Sequence, residues 1–538
     1  MSYQSEVPSA SSNGAVRSWR DERPVFVDLL PPCNNACPAG ENVQRWLRLV
    51  QSGDDEAAWQ VLAEDNPLPA TMGRICYRPC ESKCNRAEFD SAVGINSVER
   101  FIGDEAIEHG WKFRKPVKET GKRVLIVGAG PSGLSAAYHL RKVGHTVAIH
   151  ETGPSAGGMM RFGIPRYRLP REILDAEIQR ILDLGVELKL NSKVDDVRAA
   201  MKTGRYDAAY LALGAHVARH AEIPAVSAAK ILDAISILRS MEGQERPLLG
   251  RRVVVYGGGN TALDAARTAR RLGASEPVII YRRTRAKMPA HDFEVEEALE
   301  EGVTMKWLST IKRVDQRDIM IERMELDASG FPQPTGTFET LEADCVVLAL
   351  GQEVNLDLVK RVPGVGITGG VVEVGPDMMT GAEGIFAGGD MVPCDRTATV
   401  AIGHGKKAAQ AIDAWLGRKN RVPAPRRVPA TRINTWYYSA TPRAERAKLA
   451  LARRQTTFDE VVQGLGEASA RNEAQRCFSC GNCFECDSCY DVCPENAVLK
   501  TGRGYAIDYQ RCTSCKLCLE ECPCGAITMV QDVAAMPG

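Results

Sequence analysis

Residues 122–151, KRVLIVGAGPSGLSAAYHLRKVGHTVAIHE, leave a chain little choice of fold. Val124 to Val127 form an apolar run of buried parallel-strand character, and Gly128, Gly130 and Gly133 follow it in the spacing G-x-G-x-x-G. The spacing predicts a tight turn into a helix over Leu134–Lys142, then a second strand over Thr146–His150 that ends on Glu151. The first glycine permits the turn, the second lets backbone N–H groups approach a pyrophosphate, and the third lets helix and strand pack closely. The helix N-terminus directs partial positive charge at the phosphates. Glu151, about twenty residues past the turn, is placed to accept from ribose hydroxyls. Glycines alone would fit any packed strand-to-helix turn. Strand, turn, helix, second strand and acid in register predict a dinucleotide site.

The pattern recurs at RRVVVYGGGNTALDAARTARRLGASEPVIIYRRTR. Gly257, Gly259 and Ala262 give G-x-G-x-x-A, with Asn260 and Thr261 opening the helix, and a strand follows over Val278–Tyr281. That strand ends in Arg282 and Arg283 where the first unit has Glu151; an arginine there pairs with a 2′-phosphate and favours NADPH over NADH. The bland reading is two arginines on a solvated strand end. Around these units lie a Gly-rich loop containing Gly158, suited to lie against a flavin, and two apolar strands ending in glycine, Tyr206–Gly214 and Ala343–Asn355. GIFAGGDMV, with Gly389 and Asp390, then precedes a helix over Thr399–Leu416 and supplies a second approach to a flavin nucleotide. A second unit inserted before the first is complete is the internal repeat of a flavin–pyridine nucleotide oxidoreductase. Between Lys122 and Trp415 there is no cysteine pair to act as a redox disulfide, so electrons must leave by another route.

The 18 cysteines sit almost entirely at the two ends. In a reducing compartment such clustering argues for metal rather than disulfides. Cys483, Cys486, Cys489 and Cys493 spell C-x2-C-x2-C-x3-C-P, and Cys512, Cys515, Cys518 and Cys522 repeat it. This is the run of a two-cluster bacterial ferredoxin, in which the fourth cysteine of each run binds the other cluster. Cys483, Cys486, Cys489 and Cys522 are expected to hold one [4Fe–4S], and Cys512, Cys515, Cys518 and Cys493 the other; a zinc module is the alternative. Cys477 and Cys480 precede the run at the same spacing and leave the register of the first cluster slightly open, while Cys524 is expected to be spare. At the other end, Cys37 precedes GRICYRPCESKC, in which Cys76, Cys80 and Cys84 are spaced so that a helix would set them on one face. Soft thiolates there suit an iron–sulfur cluster or zinc, and the segment lacks the paired knuckles of structural zinc. Cys33 has no obvious partner.

At 538 residues the chain is too long for one core. Lys+Arg and Asp+Glu both number 68, so nothing points to nucleic acid or a basic membrane face. No apolar run is long enough to span a bilayer, and the Ser-rich start lacks a signal peptide's apolar core, so a cytoplasmic protein is expected. The expected class is a multidomain α/β protein. A flexible tail over 1–24 precedes a helical iron–sulfur domain over 25–120. An FAD-binding domain over 121–249 and 386–416 is interrupted by an NAD(P)-binding domain over 250–385. A Pro/Arg-rich linker (417–435) and a charged helical segment (Arg443–Ala470) fill 417–470, and an α+β ferredoxin domain over 471–538 is expected to fold separately.

The combination resembles the small (β) subunit of NADPH-dependent glutamate synthase and its relatives, including the NADPH-reacting half of dihydropyrimidine dehydrogenase and the flavin subunits of 2-oxoacid (phenylglyoxylate):NAD oxidoreductases. CPAG at Cys37, GRICYRPCESKC, VLIVGAGPSGL, GIPRYRLP, GGGNTALD, YRRTRAKMPA and GIFAGGD carry the resemblance. It implies that Cys37, Cys76, Cys80 and Cys84 hold one N-terminal [4Fe–4S] cluster. Relatives with a second N-terminal cluster carry C-x2-C-x4-C-x3-C-P, of which this chain keeps only Cys33 and Cys37; Val25 and Asp28 stand upstream. The resemblance therefore implies three clusters in all, with Cys33 outside them.

These parts predict an NAD(P)H:acceptor electron-transfer subunit in which FAD converts between hydride and single electrons. No acid–base pair is visible, so no catalytic side chain is assigned. The expected partners are catalytic oxidoreductase subunits in a hetero-oligomer, such as a thiamine-dependent 2-oxoacid oxidoreductase or a glutamate synthase large subunit, and ferredoxin. A redox-sensing scaffold without turnover is the alternative of another class.

Overall fold

A computed structural model of the protein describes residues 20–219, 223–226, 230–243, 246–417, 432–502 and 504–532. Most of the expected flexible tail (1–19) and of the Pro/Arg linker (418–431) lies outside the described residues.

Two five-stranded parallel sheets form the centre. The first has the spatial order Ile385–Ala387, Ala208–Leu211, Arg123–Val127, Thr146–His150, Glu187–Lys189. Its register pairs Val124 with both Val147 and Ala208. The second has the same plan: Thr304–Trp307, Glu276–Tyr281, Arg252–Tyr256, Cys345–Leu348, Ile231–Asp233. The inner strands, such as Arg123–Val127, Ala208–Leu211 and Cys345–Leu348, are short apolar runs buried on both faces, as parallel sheets covered by helices require. The edge strands Glu187–Lys189, Thr304–Trp307 and Ile231–Asp233 are only partly covered. Each motif glycine turn leads from a central strand into a long helix, Pro131–Lys142 in the first unit and Asn260–Arg271 in the second. The second sheet's outermost strand, Ile231–Asp233, precedes residue 250, so that unit begins earlier in the chain than expected. An antiparallel sheet of Ser309–Val314, Asp318–Leu326 and Pro332–Glu342 is appended to it.

The N-terminal domain is helical. Trp46, Trp59, Leu62 and Ile102 are buried in its core. Helices Pro69–Ile75 and Ile95–Glu108 cross at Gly103, where a Cβ would run into the backbone of Ala70. The three cysteines following the first of these helices do not lie on one helical face. Cys76 ends Pro69–Ile75 in extended backbone, Pro79 starts a new turn over Pro79–Ser82, and Cys84 lies beyond it. The proline and the left-handed Arg78 break the expected helix.

The C-terminal domain does not stand apart. Strand Ile527–Gln531 pairs antiparallel with Glu22–Phe26, a strand that begins inside the segment expected to be flexible. Helix Glu467–Gln475 packs on Val43–Gln51. The buried carboxylate of Glu473 accepts from the backbone N–H of Gly94 and of Ala444, at 2.6 Å each. Arg48 donates to the Cys483 carbonyl oxygen at 2.8 Å. The charged segment Arg443–Ala470 is not one helix: it carries Leu451–Thr456 and the start of Glu467–Gln475, with irregular backbone elsewhere. Arg443 and Arg454 bind to other domains, through Glu81 and Glu300. No helix among the described residues is long and apolar enough to cross a membrane.

Candidate flavin cleft and cysteine clusters

A cleft of about 880 Å³ lies where the two nucleotide units meet. Gly128, Gly130, Glu151, Gly158, Gly389 and Asp390 line it from the first unit, and Asn260 and Thr261 from the second. The volume falls within the usual range for small-molecule and cofactor sites. The remaining motif glycines lie outside the lining. A Cβ at Gly133 would run into the Gly128 carbonyl oxygen, so this glycine lets helix and strand pack. Gly257 adopts φ +153° against the Ala349 carbonyl oxygen, as Gly128 adopts +108° against that of Ala212. Gly259 differs: a Cβ there meets nothing within 4 Å, leaving its backbone open to an incoming group. Ala262 is buried behind it. Arg282 is exposed and Arg283 half-buried near the Phe331 ring, at the end of strand Glu276–Tyr281 and outside the cleft lining.

The carboxylate of Glu151 accepts from the backbone N–H of Ala129 and of Gly153, both at 2.8 Å, which fixes it beside the first glycine turn. Burial pushes the Asp390 carboxyl up to about 6, with Arg396 opposing. Several cleft residues escaped the sequence reading. Asn260 donates to the Tyr77 hydroxyl at 2.6 Å and accepts from the His291 N–H at 3.1 Å, while the Tyr77 and His291 rings stack at 3.8 Å. Arg168 makes two hydrogen bonds to Asp264, at 3.0 and 2.8 Å, and pairs with the buried Glu294. The signal was present in RYRLP and NTALD, whose opposite charges meet across the two units.

Ile75 and Tyr77 both line the cleft, so Cys76 sits at its wall. Cys76 and Cys37 are the thiols nearest Cys80. Carboxyl groups are further neighbours of this trio: Glu41 and Glu99 flank Cys37 and Cys76, and Asn66 donates to each of the two glutamates at 3.0 Å. Burial first, and neighbouring carboxyls second, push the Cys37 thiol well up; burial likewise takes Cys76 to about 12. Cys84, expected to complete this group, belongs to another. Its neighbours are Cys33, Cys477 and Cys480, because the chain turns at Pro79–Ser82 and carries Cys84 to the far side. Cys33 is therefore not isolated.

In the C-terminal domain, Cys483 neighbours Cys486 and Cys522, and Cys489 neighbours Cys483, Cys522 and Cys486, then Cys518. Cys493, Cys512, Cys515 and Cys518 line one small cavity. The fourth cysteine of each run thus sits with the first three of the other. Cys524 lies 3.8 Å from Cys522, sulfur to sulfur. Among the described residues no three or more His, Cys, Asp or Glu side chains are arranged to hold a single metal ion. Ligands of one zinc converge on it at about 2.3 Å, whereas thiolates bound to different irons of a cubane stand further apart.

Residues 122–410 match the pyridine nucleotide-disulphide oxidoreductase family. Residues 29–111 match the 4Fe-4S domain II of dihydropyrimidine dehydrogenase, and residues 482–526 a 4Fe-4S dicluster domain. The NADP(+)-dependent formate dehydrogenase subunit beta of Moorella thermoacetica is 34% identical over 84% of this chain and 70% of its own length. The NADPH-Fe(3+) oxidoreductase subunit beta of Geobacter sulfurreducens is 31% identical over 85% and 76%. The glutamate synthase [NADPH] small chain of Escherichia coli is 33% identical over 72% and 89%.

Proposed function

The chain belongs to the pyridine nucleotide-disulphide oxidoreductase family, in the iron–sulfur branch that includes glutamate synthase small chains, and on that premise we propose how its residues divide the work and what it serves. It is an electron-transfer oxidoreductase subunit that exchanges hydride with NAD(P)H and single electrons with [4Fe–4S] clusters. One observation carries the assignment of parts: a single cleft is lined by Gly128 and Gly130 of the first motif, by Asn260 and Thr261 of the second, and by the residues on either side of Cys76.

FAD bound along the first motif supplies the exchange between a two-electron hydride and one-electron carriers. Gly128, Gly130 and Gly158 leave its pyrophosphate room, Glu151 takes the ribose, and Gly389 and Asp390 close the cleft from the other side. Gly257, Gly259, Asn260, Thr261 and Ala262 admit the nicotinamide nucleotide, with Arg282 and Arg283 placed for a 2′-phosphate and hence for NADPH. Cys37, Cys76 and Cys80 hold the cluster at the cleft wall, with a carboxylate of Glu41 or Glu99 as the remaining oxygen donor. Two further [4Fe–4S] clusters fill the C-terminal domain: Cys483, Cys486, Cys489 and Cys522 hold one, and Cys493, Cys512, Cys515 and Cys518 the other. Substrate chemistry falls to a catalytic partner that exchanges single electrons, such as a 2-oxoacid oxidoreductase or a glutamate synthase large subunit. The named relatives span formate, ferric iron and glutamate chemistry on this one plan, which supports placing the substrate site in the partner.

The test is anaerobic reduction of a viologen dye by the purified holoprotein with NADPH and with NADH. Turnover with a preference for NADPH is expected. A flavin bleached by nucleotide without dye turnover would favour a redox sensor instead.

A further inference from the structure

Seven thiols lie outside the three cluster sites above, and four of them come together. Cys33 and Cys84 come from the N-terminal domain, and Cys477 and Cys480 from the segment leading into the C-terminal one. They meet in the interface between the two ends of the chain. Cys33, Cys84 and Cys477 pack against the same apolar core, and Cys33 is the common neighbour of the other three. The side chain of Asn85 donates to the Cys480 sulfur at 3.4 Å, and the Arg86 guanidinium donates to the Arg476 carbonyl oxygen at 2.6 Å. Cys84 and Cys477 are thereby held together from both sides.

Backbone geometry is a second and independent observation. In Cys477-Phe478-Ser479-Cys480, Ser479 takes φ +49°. Glu485 takes +62° at the same place between Cys483 and Cys486, and Ser514 +56° between Cys512 and Cys515. Left-handed backbone is unfavourable for residues with a side chain and persists where surrounding structure enforces it, often at functional sites. These three of the segment's six C-x-x-C turns share it at the same position. The Ser479 N–H also points at the Cys477 sulfur, at 3.4 Å. Arg78, two residues past Cys76, repeats both features, with φ +61° and its N–H 3.4 Å from the Cys76 sulfur. A pair of incidental buried cysteines has no reason to copy the loop that wraps a cluster.

We propose that Cys33, Cys84, Cys477 and Cys480 bind a fourth [4Fe–4S] cluster, assembled from both ends of the chain. The inference rests on the reading of the protein as an iron–sulfur flavoprotein and adds the site that joins its two halves. Short chain segments connect each site to the next. Cys33 and Cys37, and likewise Cys80 and Cys84, are four residues apart, which limits their Cα separation to about 14 Å. Cys480 and Cys483, three apart, lie within about 11 Å. Tyr438 neighbours Cys477, Cys480, Cys486 and Cys524. The fourth cluster therefore stands between the one at the flavin cleft and the first of the C-terminal pair, and makes four sites a continuous row.

The test is iron and acid-labile sulfide per flavin in the anaerobically purified full chain. About sixteen irons are expected, four per cubane; about twelve would overturn the proposal, whatever any variant does. Cys33→Ala and the double variant Cys477→Ala with Cys480→Ala remove ligands from opposite ends. Each is expected to lose the same four or so irons and the same component of the dithionite-reduced electron paramagnetic resonance spectrum, with flavin content as the folding control. A variant that folds and keeps the full iron, or two variants that lose different components, would also overturn it. Failure of nucleotide to reduce flavin or dye would instead sink the parent reading, and the iron count would still decide this one.

Discussion

Gly133 and Gly259 occupy equivalent-looking motifs but answer to different constraints. Gly133 has the Gly128 carbonyl oxygen where a Cβ would stand, so Gly133→Val displaces helix from strand and is expected to give flavin-free protein. Gly259 has open space around it, so Gly259→Val is expected to fold, hold its flavin and lose reduction by nucleotide. Absorbance of the two purified variants before and after anaerobic NADPH distinguishes these outcomes; loss of flavin from the Gly259 variant would mean the two nucleotide sites are exchanged. Arg282→Ala is expected to lower kcat/KM for NADPH about 10- to 100-fold, the scale of one hydrogen bond to a charged group, while leaving NADH little changed. Steady-state dye reduction with each nucleotide measures it. The tight packing at Gly128 and Gly133 was legible because the motif carries its own physical reason within a few positions. Cys33 and Cys84 were not. Their partners lie some four hundred residues away in sequence, and only the docking of the two ends brings them together.

At the scale of elements, the inner strands and the motif helices of both nucleotide units were legible from apolar runs around the glycine turns, and Thr146–His150 was placed to the residue, whereas the edge strands Ile231–Asp233 and Thr304–Trp307 were not foreseen. Elements whose existence depends on partners were not. Glu22–Phe26 is a strand only because Ile527–Gln531 pairs with it. Helix Pro69–Ile75 shows a further long-range device. Its first-turn N–H groups, at Ala70 and Thr71, are capped at 2.8 Å by the carboxylate of Glu177, which belongs to the flavin unit. Burial pushes that carboxyl up from 4.5 to about 7, against the pull of these hydrogen bonds. Its folded pKa is raised, so the folded state holds a proton that the unfolded state releases between pH 4.5 and about 7. The Glu177 contribution is thus fully present below pH 4.5 and is lost as pH rises through 7, by roughly 3 kcal/mol at one pKa unit per 1.36 kcal/mol. Comparing denaturation midpoints of wild type and Glu177→Gln at pH 5 and pH 8 checks the sign: wild type should lose ground to the variant at the higher pH.

Across the whole molecule, the cysteine-bearing ends close on each other around the nucleotide units. A chain ending at residue 470 loses Cys477, Cys480, the buried Glu473 and the partner of strand Glu22–Phe26 together. It is expected to retain about four irons at most and to release flavin at a lower temperature than the full chain. Iron analysis and a flavin-fluorescence melt would show it, and a truncated protein with unchanged melting would mean that the C-terminal domain is separable after all. The central claim is that cleft and clusters form one conductor between hydride and single electrons. Its most direct test reduces the clusters first, removes excess dithionite, and mixes the protein anaerobically with NADP+ while following cluster paramagnetism and NADPH absorbance together. The account predicts that cluster signals decay as NADPH appears, with two electrons lost per nucleotide formed. Persisting cluster signals and no NADPH, in protein with its full flavin, would contradict it.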